Sequence, residues 1–215
     1  MPTSLGPGRL VVEPAEAPVA VLWLGHGAGG GIEARDLAAL AARLPGNGIT
    51  VIRHEQPWRV AGRRVAPRPA ALDAAWLDTV AQVRELAGEF PLVVGGRSAG
   101  ARVACRTAAA TGAAAVVCLA FPLHPPGNPA RSRLAELLLP RVPVLVLQGE
   151  RDTFGTAEEL AAEVDGTGRI RVVAVPGADH GMKVRASSPL DADGVAALVT
   201  SRVGDFIRTS ARRAQ

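Results

Sequence analysis

Tyrosine is absent from these 215 residues, aromatic residues make up 3% of them, and cysteine occurs twice. So few aromatics, with scattered basic residues and no recognition motif, offer no stacking platform and argue against a nucleic-acid partner. Cys105 and Cys118 have neither metal-ligand spacing nor the numbers for a disulfide framework, so both are expected to be small buried core residues. Strong net charge is also missing. The isoelectric point near 10.3 accompanies a formal charge of only +4, because arginine dominates the cations and no tyrosine titrates against them. No apolar run reaches membrane-spanning length, and the opening MPTSLGPGRLVVEP lacks an apolar core behind a positive region, so a cytoplasmic protein with no membrane partner is expected. Internal repeats, low-complexity tracts and linkers are lacking too. One domain over residues 1–215 follows, with 1–9 and 209–215 expected as flexible termini.

What the chain does have is apolar sequence, 48% of the residues, enough for a substantial core. Short apolar runs recur at Leu10–Val12, Val19–Leu24, Thr50–Arg53, Leu92–Val94, Ala115–Leu119, Val144–Leu147 and Ile170–Val175. Helical spacing separates them: Leu37, Leu40 and Leu44; then Leu72, Trp76, Val80 and Val83; then Leu134, Leu137 and Leu138; finally Val195, Leu198, Arg202 and Phe206 beside Val199 and Ile207. Continuous rather than alternating hydrophobicity means that the strands are covered on both faces. The fold class is therefore α/β, a doubly wound, mostly parallel sheet of about seven strands flanked by helices. Phe121–Pro143 holds one short helical pattern, too little for a cap domain, so an open site is expected.

Chemistry concentrates at LVVGGRSAG, residues 92–100. A strand enters a Gly-x-Ser-x-Gly turn that opens a helix, the arrangement that lifts a serine hydroxyl above a sheet on a strained backbone. A serine hydroxyl is a weak nucleophile at neutral pH and needs an imidazole to take its proton and a carboxylate to orient that imidazole. Asp152 follows the Val144–Leu147 run and His180 follows Ile170–Val175, each just past a strand's carboxyl end. Glu150 lies closer to the strand end, and Asp179 is adjacent to His180, so neither is preferred as the acid. Developing negative charge on a substrate oxygen calls for two backbone N–H groups. Ala99, after the serine, supplies one; Ala28 in the glycine-rich His26–Gly31 loop supplies the other, with His26 bracing that loop. The loop lacks the Lys and Ser/Thr of a phosphate cradle.

Together HGAGGG, GGRSAG, FPLHPPGNP, LQGERDTFG and GADHGMKV resemble the α/β-hydrolase superfamily. More narrowly they resemble its lidless, dienelactone-hydrolase-like branch, which includes testis-expressed and NSL-complex-subunit relatives. The resemblance spans nearly the whole chain and implies Ser98 as nucleophile, Asp152 as acid, His180 as base, and Ala28 and Ala99 as oxyanion donors. The expected activity is hydrolysis of a carboxylic ester, less readily a thioester or amide, through an acyl-enzyme. No metal or organic cofactor is called for, the expected partner is a small-molecule ester, and a monomer or homodimer is expected. Arg97, His124, Arg63 and Arg64 are candidate substrate contacts, the last two in an Arg-rich loop, 59–68, that could steer an acidic group. Some members of the branch act in assemblies, so a non-catalytic binding or scaffold protein is the alternative reading.

Overall fold

A computed structural model of the chain describes residues 1–214. The edge strand β1 (Arg9–Glu13) pairs with β3 (Ile49–Glu55) in antiparallel register, with Val11 opposite Arg53. Every other pairing is parallel. The remaining strands are β2 (Ala20–Gly25), β4 (Leu92–Arg97), β5 (Ala115–Leu119), β6 (Val144–Gly149) and β7 (Ile170–Val175), and the sheet runs in the order β1-β3-β2-β4-β5-β6-β7. All seven apolar runs are strands of this one sheet. The α/β class and the mostly parallel seven-stranded sheet expected from sequence are what the chain forms.

Period-two alternation sorts the strand side chains between two helical layers. Val21, Trp23, Val94, Val116, Cys118, Val144 and Val146 face one layer, built by α3 (Pro69–Leu77), α4 (Val80–Ala87), α5 (Ala99–Thr107), α6 (Leu134–Leu137) and α7 (Ala157–Glu163). Leu22, Leu24, Val51, Val93, Val117, Leu145 and Leu147 face the other, covered by α1 (Arg35–Arg43) and the long C-terminal α8 (Ala192–Ala214). A single turn, α2 (Pro57–Val60), intervenes after β3. Each buried Leu or Val contributes about 1.5–3 kcal/mol, and central strands such as β5 and β6 are buried at every position. That is why their sequences read as unbroken apolar runs.

The structure departs from expectation in two places. The spacing of Leu72, Trp76, Val80 and Val83 suggests one helix, yet α3 and α4 are separate. The Thr79 hydroxyl donates back to Trp76 O at 2.8 Å, and the Asp78 carboxylate is taken by Ser4 N and Oγ at 2.7 and 2.6 Å, so side chains compete with the helix at the junction. Regular structure also extends beyond the bounds expected for the termini. Arg9 begins β1, the N-terminal ammonium donates to Gly8 O at 3.0 Å, and α8 continues through residues 209–214; Gln215 lies outside the described residues. Cys105 and Cys118 are free, buried thiols 3.5 Å apart, as core residues should be. Their mutual hydrogen bond and burial push the Cys118 thiol well above its ordinary pKa, which suits core packing rather than reactivity.

Beneath the C-terminal ends of β2 and β3, the Trp23 and Trp76 rings stack at 3.6 Å, and the His54 ring lies nearly parallel to Trp76 at 5.3 Å. His54 is fully buried, and neither ring nitrogen has a hydrogen-bond partner among the described residues. Burial therefore lowers its pKa from 6.5 to about 3. A histidine held neutral in the fold is protonated in the unfolded chain below 6.5, so its contribution to stability is complete above that pH and is lost as pH falls toward the folded value. Replacing His54 by Phe keeps the stack and removes the titration. Between pH 7 and pH 5 the wild type should lose about 2 kcal/mol more stability than His54→Phe. Urea denaturation at the two pH values measures this; parallel losses in the two proteins would exclude His54 as the origin.

Candidate active site

In the strand order, β2 is the point from which the chain departs in opposite directions, to β3 on one side and β4 on the other. The loops after β2 and β4 diverge there and leave a crevice at the strands' carboxyl ends, where open α/β sheets bind ligands. Ser98 sits in this crevice. Its φ of 51° and ψ of −109° place a non-glycine residue in a region that costs on the order of 1–3 kcal/mol. The conformation is held by a bond from Ser98 N to Leu119 O at 2.9 Å and by close backbone packing on both sides. A Cβ on Gly96 would lie 2.6 Å from Gly25 O, and one on Gly100 would lie 2.4 Å from the same oxygen. Both glycines are therefore required by contact.

His180, in the turn after β7, approaches from the far side. Its Nε2 lies 2.9 Å from Ser98 Oγ and its Nδ1 lies 2.8 Å from Asp152 Oδ2. A carboxylate only accepts, so Nδ1 carries the proton and Nε2 is left as the acceptor for the serine hydroxyl. Asp152 is buried and fully engaged: Oδ2 also accepts from Gln148 Nε2 at 3.0 Å, and Oδ1 accepts from Phe154 N at 2.8 Å. The Phe154 ring packs against the imidazole at 4.2 Å. Glu150 is turned elsewhere, accepting from Gly177 N at 2.8 Å. Asp179 shapes the histidine's own turn by accepting from Gly181 N and Lys183 N at 2.7 and 2.9 Å.

The Ala28 and Ala99 residues line one small cavity together with Gly27, Trp58, Leu72 and Trp76. Neither the Ala28 nor the Ala99 N–H has a hydrogen-bond partner among the described residues. Ala99 N–H is moreover at the first turn of α5, where backbone donors are unpaired and the helix dipole favours negative charge. His26 braces the loop. Its Nε2 accepts from Gln56 N at 3.1 Å, which fixes the proton on Nδ1, and that group donates to Gly27 O at 2.9 Å. Burial lowers the His26 pKa, opposed by the bond to Gly27, so this imidazole is held neutral.

The four candidate substrate contacts have different fates. Arg97 is committed elsewhere: its Nε pairs with the buried Asp36 at 3.0 Å, and its NH2 group donates to His180 O. It ties α1 to the histidine's turn. His124 is anchored through its N–H to Phe154 O at 3.0 Å and through Nδ1 to Pro125 O at 3.0 Å, and it lines neither cavity at the site. Arg63 lines a larger cavity next to the first, whereas Arg64 lies on the exposed loop outside both. Sequence reasoning missed Gln148 and Asp36. Gln148 had a signal, a single amide in the otherwise apolar β6 run VLVLQG. Asp36 had none, since an acidic residue is ordinary in the first turn of a helix.

Residues 18–208 match the protein family described as Alpha/beta hydrolase domain. Among solved structures the chain resembles an alpha-beta serine hydrolase homologue from Coxiella burnetii, at 16% identity and a TM-score of 0.76, over 94% of this chain and 95% of that one. A Xanthomonas campestris protein described as an a/b serine hydrolase without lid is 19% identical, with a TM-score of 0.68, over 98% and 91% of the two chains. Est1E from Butyrivibrio proteoclasticus is 16% identical, with a TM-score of 0.71 and coverage of 94% of each. At these identities the structural likeness concerns the fold.

The ion pair of Asp36 and Arg97 makes a stability prediction. Burial raises the Asp36 pKa, and the Arg97 guanidinium is the principal group opposing that rise. Arg97→Met strands the carboxylate and should cost about 3–5 kcal/mol. The double variant Asp36→Leu/Arg97→Met should recover most of that loss, because it removes the stranded charge along with its partner. Chemical denaturation of the three proteins decides; a double variant as unstable as the single one would show that the loss comes from the His180 contact instead.

Proposed function

The chain belongs to the alpha/beta hydrolase domain family, and on that premise we propose that it is a serine hydrolase that cleaves a carboxylic ester through an acyl-enzyme. The observation that carries this is the hydrogen-bonded series from Ser98 Oγ to His180 Nε2 at 2.9 Å and from His180 Nδ1 to Asp152 Oδ2 at 2.8 Å. Ser98 attacks the carbonyl carbon while its proton passes to His180 Nε2. Asp152 holds the imidazole in the required tautomer and stabilises the imidazolium that forms. The Ala28 and Ala99 N–H groups donate to the oxyanion, preorganised and unpaired in the resting protein. His180 then returns the proton to the departing alcohol, and water, activated by the same imidazole, releases the acid. Esters are preferred over amides because the amide carbonyl is more strongly stabilised by resonance and its nitrogen, unless protonated, would have to leave as an anion far more basic than an alkoxide.

A fluorophosphonate probe should label the wild type on Ser98, and a nitrophenyl ester should be turned over. Ser98→Ala and His180→Ala should abolish ester turnover with the fold retained by circular dichroism, and Asp152→Asn should lower kcat by about 10⁴-fold through loss of the productive tautomer. Persistence of turnover in Ser98→Ala, or a wild type that neither labels nor turns over ester, would refute the reading and favour the scaffold alternative.

A further inference from the structure

We propose that the larger cavity, of about 500 Å³, is a binding site for an apolar monocarboxylate, with Arg63 as the partner of the carboxylate. The N-terminal segment contributes Leu5 and Pro7 to its walls, α2 contributes Pro57 and Trp58, and α3 contributes Ala71 and Ala75. The volume is in the range of cavities that house small organic ligands, and the walls are of the predominantly apolar kind such sites use. Two of its residues are large apolar side chains left open to solvent, Val65 at 81% and Leu5 at 49% exposure. Covering them removes apolar surface from water, which is the driving force an apolar ligand would bring. Neither Ser98 nor His180 lines this space, so it is a second site and its occupancy requires no reaction at Ser98.

Charge decides the ligand's polar end. Arg63 is the one charged residue among the described residues that line the cavity. The carboxylates of the surrounding elements are engaged elsewhere: Glu55 by Arg9 at 2.7 Å, Asp73 by Arg106 at 2.6 Å and Asp78 by Ser4 at 2.6 Å. Residues 57–68 themselves hold four arginines and no acid. The polar side-chain atoms of the inner wall are withdrawn from the space, since Gln56 Nε2 donates to Leu72 O at 3.1 Å while Gln56 Oε1 and Trp58 Nε1 are buried. A guanidinium beside apolar walls therefore favours an apolar body bearing one anionic group, and the planar fork of donors fits a carboxylate. A doubly charged phosphate would leave one of its charges uncompensated against apolar walls, which is costly.

Calorimetric titration of the purified full-length chain with octanoate and with octanol, probes with the same apolar tail and different head groups, tests this. Octanoate should bind saturably at one site per chain and more tightly than octanol. Arg63→Ala should weaken octanoate about tenfold, the scale of a lost charge-assisted hydrogen bond, and change octanol by less than about twofold. Ala71→Phe fills the cavity from α3 and should weaken both probes by about tenfold or more; should it not fold, Arg63→Ala on its exposed loop keeps the test decisive. A bromooctanoate should quench tryptophan fluorescence in the wild type and not in Trp58→Phe, because Trp58 lines the cavity while Trp23 and Trp76 lie buried in their stack. Ser98→Ala should bind octanoate as the wild type does, so binding and turnover are read separately. Absence of saturable octanoate binding, equal weakening of the two probes in Arg63→Ala, or affinities unmoved by Ala71→Phe overturns the proposal and leaves the hydrolase reading standing. Loss of Ser98 labelling and turnover with octanoate binding intact overturns the hydrolase reading and supports this site.

Discussion

Backbone touching backbone at one point governs this molecule's chemistry: the carbonyl of Gly25 at the end of β2 lies where a side chain on Gly96 or Gly100 would otherwise be. Because those two positions carry no Cβ, α5 starts directly against β2 and the turn between β4 and α5 is forced to be abrupt. Ser98 then has no relaxed conformation available, and its strain is offset by the packing of strands on either side. The same contact brings the loop after β2 beside the first turn of α5, so two unpaired N–H groups from distant parts of the chain, Ala28 and Ala99, come to share one cavity. The strained placement of Ser98 and the pairing of the Ala28 and Ala99 N–H groups are thus consequences of a single steric requirement rather than two separate features.

Around that point, buried polar groups restrict what can move. Asp152 has its oxygens engaged by Gln148, Phe154 N and His180, which leaves the imidazole one orientation. Gln148 Nε2 also donates to Phe121 O at 3.1 Å and Gly155 O at 2.7 Å, joining the turns after β5 and β6. From the other layer, Arg97 couples Asp36 on α1 to the main chain of His180. A buried ion pair is weak grounds for stability in itself, since desolvation consumes most of the Coulombic gain. Its value here is geometric, because it fixes the distance between the elbow and the histidine's turn.

The strands and the convergence of Ser98, His180 and Asp152 were legible in the sequence for definite reasons. A strand covered on both faces must be apolar at successive positions, so seven short runs stood out, and residues just past their carboxyl ends had to lie on the rim that carries Ser98, Asp152 and His180. The glycines of GGRSAG were readable because only close approach explains them. Asp36 was not readable, because its role depends on which distant element packs against it, and Gln148 showed only as a lone amide in an apolar run, without its partners. Arg97 shows the same limit: sequence places it beside the nucleophile, but whether it faces a substrate or a carboxylate is decided by α1, which lies far away in the chain. The break between α3 and α4 was hidden because apolar spacing continued across Asp78 and Thr79 while their side chains bonded out of the helix.

The two flanks of β4 consequently carry different physics. Toward β6 and β7 the groups are polar and hydrogen-bonded, and Ser98 and His180 are partly exposed, as the proposed proton transfer would require. Toward β2 and β3 the small cavity is walled chiefly by Trp58, Leu72 and Trp76, the last of these part of the Trp23, His54 and Trp76 stack. In the reaction proposed above, the Ala28 and Ala99 N–H groups beside these apolar walls would meet developing negative charge where an N–H dipole is worth more than in bulk water.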